Sequence, residues 1–470
     1  MPKPHYERLS AVDTALLRLE EKHAHMHVGA VAIFEAAPLR NAEGAVDVDQ
    51  LRRALESKLH ETPRLRQRLG FVPVLDHPVW VDDDRFNLHY HVRHTALPPP
   101  GDERQLKRLT GRIVSQQLDR GKPLWEVWFV EGLSGDRFAM IVKAHHCMVD
   151  GIAGIGALAA VMRGDEQRTV EAVPAWQPRP APDRVALLRG ELAHRASGSA
   201  ALLEWGRRAL RSPERALTSW RDAAASLGEM LGAGLTRGSA TPLNVAVGPH
   251  RRFDWMRLDL GDVSEVRKRF GGTINDVALS CVSGAIGRFL ERRGLRPAEL
   301  SFRSMVPVNI RSSDEAGALG NRVTFLVADL PVAESDPRRR LAEVVEITGK
   351  LKLSRQVAGM DLLERFSDRV MPWLFEEFGR LGYSQRAYNM VVTNVPGPRV
   401  PLYMLGARLQ EIYPVVPIFA QQALNIGLFS YHGGLYWGFN ADWDVMTDLH
   451  QVVEDTALEF QDLQHAARAS

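Results

Sequence analysis

Cysteine is scarce: Cys147 and Cys281 are the two in 470 residues. Two cysteines cannot build a disulfide framework or a four-cysteine zinc site, and free thiols fit a reducing compartment. Long hydrophobic runs are missing too. No stretch approaches the roughly 18 uninterrupted apolar residues that a membrane-spanning helix requires, so none is expected. The first residues, Met1 to Arg8, carry basic side chains with no apolar run behind them, which is not the pattern of a secretory signal. An excess of one charge is also absent. The 59 Lys and Arg balance 57 Asp and Glu, for a net charge of +2, so nothing global points to nucleic acid as a partner. The cytoplasm is the expected location, with room for peripheral attachment to the inner membrane or to lipid droplets.

What is present is an ordinary globular composition, 45% hydrophobic and 25% charged. At roughly 150 residues per domain the length suggests about two to three domains. Residues 1–165 mix strand and helix signals. Met26–Glu35 reads as a strand, Val46–His60 as a helix, and Trp125–Glu131 with Phe138–Ala144 as a hairpin turning at Gly132–Asp136. Prolines at 174, 178, 180 and 182 mark a linker, and a helical connector with eight arginines against three glutamates follows over 184–221. Together these make a connecting region over 166–245. A second mixed unit spans 246–470. In it Thr273–Arg292, Arg338–Lys352, Asp361–Leu381 and Met446–Ala466 read as helices. Ser301–Ile310, Asn321–Leu330 and Tyr388–Thr393 read as strands, the last ended by a rigid turn at Asn394–Pro398. Ala423–Asp442 is a hairpin turning at His432–Gly434. The expected class is therefore α/β, two halves joined by a helical connector, with a substrate cleft between them.

The densest chemical signal is His145-His146-Cys147-Met148-Val149-Asp150-Gly151, at the end of a strand and ahead of a helix-compatible run. Successive strand side chains alternate faces, so one histidine of the pair faces a given cavity and the other is structural. A neutral imidazole is a good general base because its ordinary pKa is about 6.5. Asp150 can cap backbone N–H groups or pair with an arginine, and Gly151 permits close backbone approach. Two other readings compete. A metal site is poorly matched, because the spacing lacks the H-E-x-x-H pattern. A nucleophilic Cys147 would need attack geometry that adjacency to a histidine does not supply.

The HHxxxDG pattern resembles the active-site signature of the CoA-dependent acyltransferase superfamily. The chain as a whole is similar to bacterial wax ester synthase/diacylglycerol acyltransferases. Other segments in order carry the likeness: Leu9-Ser-Ala-Val-Asp13, Met26-His-Val-Gly29, Pro123-Leu124-Trp125 with Glu131-Gly-Leu133, Asn275-Asp276, Val306–Arg311, Gly320–Arg322, Thr393–Pro398 and the hairpin near Leu424–Gly438. The resemblance implies two chloramphenicol-acetyltransferase-like halves with the active site at their interface. It implies acyl-CoA as a substrate, no separate cofactor and no metal. Diacylglycerol or a long-chain alcohol would be the acceptor, and triacylglycerol or wax ester the product. His146 would be the general base, His145 its support and Asp150 a loop anchor, so Cys147 need not react. Gly151, Asn275, Pro123, Leu124 and Trp125 are expected at the substrate site. Arg311, with Arg303 behind it, is the candidate partner from the second half. Asp276, Asn394 and Pro396 are expected to be structural. Asn275 and Asp276 can also be read as caps of their helix.

The basic connector reads either as a solvated helical face or as a surface for anionic lipid, with Arg207, Arg208, Arg211 and Arg215 as contacts. Two alternatives to the triacylglycerol reading stay open. One is a transferase that esterifies a polyketide or another hydroxyl from a carrier-bound donor, although no carrier domain is apparent. The other is a non-catalytic lipid-binding or droplet protein.

Overall fold

The computed structural model describes residues 5–148, 161–196, 237–309, 323–353 and 387–469. The expected helix over 361–381, the segment Val149–Ala160 after the histidines, most of the basic connector and Arg311 lie outside these residues.

Among the described residues the first half runs β1 (Glu7–Arg8), α1 (Ala11–Leu19), β2 (His27–Glu35), α2 (Val48–Lys58), β3 (Gln67–Phe71), β4 (Pro78–Asp82), α3 (Leu88–His91), β5 (Val92–Ala96), α4 (Glu103–Ser115), β6 (Trp125–Leu133) and β7 (Arg137–His145). The second half runs β8 (Arg251–Asp259), α5 (Leu260–Phe270), α6 (Ile274–Arg292), β9 (Phe302–Asn309), β10 (Val323–Leu330), α7 (Pro337–Leu353), β11 (Met390–Pro396), β12 (Tyr403–Met404), β13 (Ala407–Val415), β14 (Leu424–Tyr431), β15 (Gly434–Asp442) and α8 (Leu449–Arg468).

Two six-stranded sheets carry the architecture. Their orders are β12-β13-β2-β7-β6-β5 and β10-β9-β11-β14-β15-β8, and a small sheet β1-β4-β3 stands beside the first. The first sheet is not closed by its own half. Strand β13 pairs antiparallel with β2, from Leu409 opposite Phe34 to Val415 opposite Gly29. Its Leu409, Ile412, Tyr413 and Val415 are buried in the first core. A boundary near residue 246 therefore separates the chain but not the sheets.

Local chemistry explains the elements that flank the histidines. Asp102 caps α4 in a reciprocal capping box with Gln105. Leu106, Thr110 and Ile113, spaced at helical intervals, turn its buried face inward. Lys143 of β7 is buried at the other end of α4, where Nζ donates to the Ile113 and Gln116 carbonyls at 3.1 and 2.9 Å. A cation satisfies the orphan carbonyls of a helix C-terminus there. Strands β6 and β7 form the expected hairpin. Its turn places Gly132, Gly135 and Asp136 at positive φ, which the glycines adopt without steric cost. Strand β11 runs further than the sequence suggests. Asn394, Val395 and Pro396 remain paired with β14, so the turn begins at Gly397.

Candidate active site

The two histidines sit where β7 ends. His145 is the last strand residue, and His146–Met148 form a 3₁₀ turn directly after it. The backbone is clasped from both sides: the His145 N–H donates to the Leu124 carbonyl at 2.9 Å and the His146 N–H to the Met26 carbonyl at 2.7 Å. Strand geometry ends at His145, so the different surroundings of the two rings come from the change to a turn and not from strand alternation.

His145 is buried. Its Nδ1 accepts the Cys147 N–H at 3.1 Å and lies 3.0 Å from the Cys147 Sγ. Nδ1 therefore carries no proton, and the neutral ring has its proton on Nε2. Burial pushes its pKa down to about 4, against the opposing field of Glu20. His146 is half-buried, and its enclosed Nδ1 has no hydrogen-bond partner among the described residues. Burial holds the His146 pKa below the usual imidazole value, so its ring is neutral at neutral pH. Burial also raises the Cys147 thiol well above its ordinary range, the opposite of what a thiolate nucleophile requires.

Beside the pair lies a cluster that sequence reading missed. Glu20 ends α1, and Arg120 holds its Oε2 through Nε at 3.0 Å and Nη2 at 2.6 Å. Its Oε1 faces His25 Nδ1, His27 Nε2 and His145 Nε2 at 3.9, 3.6 and 3.8 Å. The usable signal was the pair His25 and His27, two positions apart at the entry to β2, whose rings stack at 5.2 Å between centroids. Among the described residues no group of three or more His, Cys, Asp or Glu is arranged to hold a metal ion.

Pro123-Leu124-Trp125 sits beneath the turn. Leu124 packs with Cys147, Leu17 and Trp80 in one buried cluster. Trp125 stacks on His91 at 4.6 Å and donates from Nε1 to the Leu65 carbonyl at 2.8 Å. Leu124 and Trp125 are buried, and the Leu124 carbonyl accepts the His145 N–H at the histidine turn.

The second half contributes the other motif residues. Thr273 caps α6, and its N–H and Oγ1 donate to Asp276 Oδ2 at 2.7 and 2.8 Å. Thr348 Oγ1 donates to Asp276 Oδ1 at 2.7 Å, so both carboxylate oxygens of Asp276 are engaged within the second half. Asn275 does not cap the helix. Its Oδ1 accepts from Asn394 Nδ2 at 2.6 Å. The two amides border a small hollow lined by Ala278, Leu279, Val306, Val392 and Leu428. Asn394 Oδ1 is buried there with no partner among the described residues. Pro396 pairs with Ser430 on β14, and a side chain at the next residue, Gly397, would strike the Ser430 carbonyl oxygen at 2.3 Å. Arg303 lies on β9 opposite Asp329. Asp150, Gly151 and Arg311 fall outside the described residues. The two halves meet close to the histidines: Met26, whose carbonyl holds His146, packs with Tyr388, Val391 and Phe419.

Comparison with known proteins gives a consistent assignment. Residues 9–278 match the model of the wax ester synthase/diacylglycerol acyltransferase catalytic domain, and residues 319–464 match that of the family's C-terminal domain. The chain is 34% identical over 456 residues to a Mycobacterium tuberculosis protein named probable diacylglycerol O-acyltransferase tgs1, covering 94% of this chain and 93% of that one. Its fold is similar to that of the wax ester synthase/diacylglycerol acyltransferase from Marinobacter aquaeolei VT8, with a TM-score of 0.70, 24% identity and coverage of 98% and 99%. It is also similar to the first condensation domain of the CDA synthetase, with a TM-score of 0.59, 18% identity and coverage of 98% and 96%.

Proposed function

The chain belongs to the wax ester synthase/diacylglycerol acyltransferase family, and we propose that it transfers an acyl group from acyl-CoA to the hydroxyl of diacylglycerol, giving triacylglycerol, with long-chain alcohols as a second acceptor class giving wax esters. The observation that carries the mechanism is the His145–Met148 turn, where a desolvated, neutral His146 stands beside a His145 whose Nδ1 is fixed by the Cys147 N–H. In this reading the His146 imidazole takes the acceptor's hydroxyl proton as the oxygen attacks the thioester carbonyl. The C–O bond forms, the C–S bond breaks, and the departing thiolate receives the proton as free CoA thiol. General base catalysis of this kind contributes about 10²–10⁴-fold, and holding the two substrates together contributes much of the remainder. The raised Cys147 thiol supports direct transfer with no acyl-enzyme intermediate. The Asn275–Asn394 amide pair, with one buried oxygen unused, is the reading's candidate for substrate contact from the second half. No cofactor enters these steps.

Peripheral attachment to an anionic lipid surface is part of the same proposal. Among the described residues no helix is long and apolar enough to cross a membrane. Two apolar features nevertheless project outward. The β3–β4 tip presents Phe71 at 47% and Val74 at 94% exposure. The helical residues 184–196 present Val185 and Leu192, seven residues apart, with exposed Arg189 between them.

The test is thiol release from palmitoyl-CoA with diacylglycerol or hexadecanol offered separately and the lipid products resolved. Triacylglycerol or wax ester from the wild type, with turnover reduced at least about 100-fold in His146→Ala, is the expected result. Undiminished turnover in His146→Ala overturns the base assignment. Product with neither acceptor overturns the substrate assignment and points to a carrier-bound donor or a binding role.

A further inference from the structure

We propose that Glu20 is a positioning residue for acyl transfer, acting through His145 to hold the turn that carries His146; this rests on the assignment of His146 as the base. The two oxygens of the Glu20 carboxylate are used differently. Among the described residues Oε2 takes all the hydrogen bonds: Arg120 Nε at 3.0 Å, Arg120 Nη2 at 2.6 Å and Gln117 Nε2 at 3.1 Å. Arg120 Nη2 also donates to the Leu17 carbonyl at 2.9 Å, which ties the pair to the end of α1. Oε1 is turned inward and buried among three imidazole rings, with no hydrogen bond among the described residues. An ion pair that only stapled α1 to the loop at Arg120 would not need its second oxygen there.

The tautomers set His145 apart from His27. His27 Nε2, 3.6 Å from Oε1, accepts the Leu118 N–H at 3.4 Å and so presents a lone pair. His145 is the reverse case. The Cys147 N–H fixes a lone pair on Nδ1, so the ring's proton sits on Nε2, which faces Oε1 at 3.8 Å. A carboxylate in a low-dielectric interior favours that orientation and opposes its alternative. If the proton moved to Nδ1, two donors would face each other across the His145–Cys147 contact. The turn would have to open, and His146 lies between those two residues. Glu20 therefore acts on the base at one remove, through the ring and backbone of its neighbour.

The test is a double-mutant cycle with steady-state kinetics on palmitoyl-CoA and diacylglycerol. Glu20→Gln preserves shape and removes charge. It should lower kcat by about 10–100-fold, the size of effect known for partners that orient metal-bound histidines, with KM for both substrates within roughly twofold. His145→Asn keeps an acceptor for the Cys147 N–H but reaches nothing at Glu20, and should show a loss of similar size. In the His145→Asn background, Glu20→Gln should add no further loss. Wild-type kcat in a folded Glu20→Gln variant overturns the proposal, and so do losses that multiply in the double variant. If Glu20→Gln fails to fold, Glu20→Asp replaces it in the cycle: it should lower kcat in the wild type and leave His145→Asn unchanged, and equal losses in both backgrounds overturn the proposal. Failure of the base assignment is read separately, as full turnover in His146→Ala.

Discussion

Burial sets the charge state of each reactive group beside the turn. Desolvation disfavours the charged form, so it pushes imidazoles down and thiols up. His146 is held below the ordinary imidazole range, His145 falls to about 4, and the Cys147 thiol moves away from reactivity. A base works in its neutral form, so lowering its pKa extends activity toward acid. The sign follows directly: the acid limb of kcat/KM, which reports the free enzyme, should lie below pH 6.5, the ordinary imidazole value of about 6.5 marking its upper bound. Burial pushes His145 down to about 4, so the limb is assigned to His146 by its loss in His146→Ala. A pH–rate profile taken from pH 4 to 8 checks this, and half-maximal activity above pH 7 would count against a desolvated base. The same residues show what sequence could reveal at this scale. His145 and His146 stand out because they are adjacent and at a strand end. Glu20 does not, because 125 positions separate it from His145 and only folding brings the carboxylate to the ring.

At the scale of elements, legibility follows the locality of the cause. The hairpin β14–β15 is readable because a two-residue turn at His432 and Gly433, both at positive φ, is a local requirement with a local residue signature. The start of α6 is readable because Thr273 and Asp276 cap one another within three residues. Asn275 was ambiguous there because its partner, Asn394, arrives from a strand 119 residues away. The β3–β4 hairpin escaped notice because its connection opens with the apolar run Val72-Pro73-Val74-Leu75 before Asp76 and His77, where a turn is expected to be polar throughout. That departure carries a consequence. Val74 has φ 68, a backbone conformation that β-branched residues seldom adopt, and it is held almost fully in solvent. The attachment proposal accounts for it as an apolar contact with lipid, joined by Val185 and Leu192 and reinforced by exposed arginines. Val74→Asp combined with Leu192→Asp should reduce co-sedimentation with phosphatidylglycerol vesicles by at least about fivefold, since burying a carboxylate in place of an aliphatic side chain reverses the sign of the transfer energy. Co-sedimentation equal to wild type would remove these residues from the contact. Wild-type co-sedimentation should fall as salt rises, because screening removes the arginine contribution.

The whole molecule is bound together by a strand that crosses from one half to the other. Strand β13 completes the first sheet on the edge of β2, and β15 approaches it so closely that a side chain at Gly438 would meet the Pro414 carbonyl oxygen at 1.8 Å. Trp255 of β8 stacks on Tyr413 at 4.8 Å, and the buried Arg251 donates to carbonyls at Gly248 and His250 and reaches across to that of His23. No local signal marks ARLQEIYPV as a strand of the other half's sheet, because strand pairing between distant segments is decided by tertiary packing. The crossing also bears on the histidine turn. His146 is held by the carbonyl of Met26 at the start of β2, and β2 is the strand that β13 covers. Residues 1–245 made alone would leave that edge unpaired and expose the apolar surface that Leu409, Ile412 and Tyr413 bury, a template for aggregation. We therefore expect residues 1–245 to be insoluble or aggregated by size-exclusion chromatography and inactive, and co-expression with residues 246–470 to recover a soluble, active complex. A monodisperse, cooperatively melting 1–245 fragment would show that the first half is an independent domain and that the shared sheet is not required to hold the histidine turn.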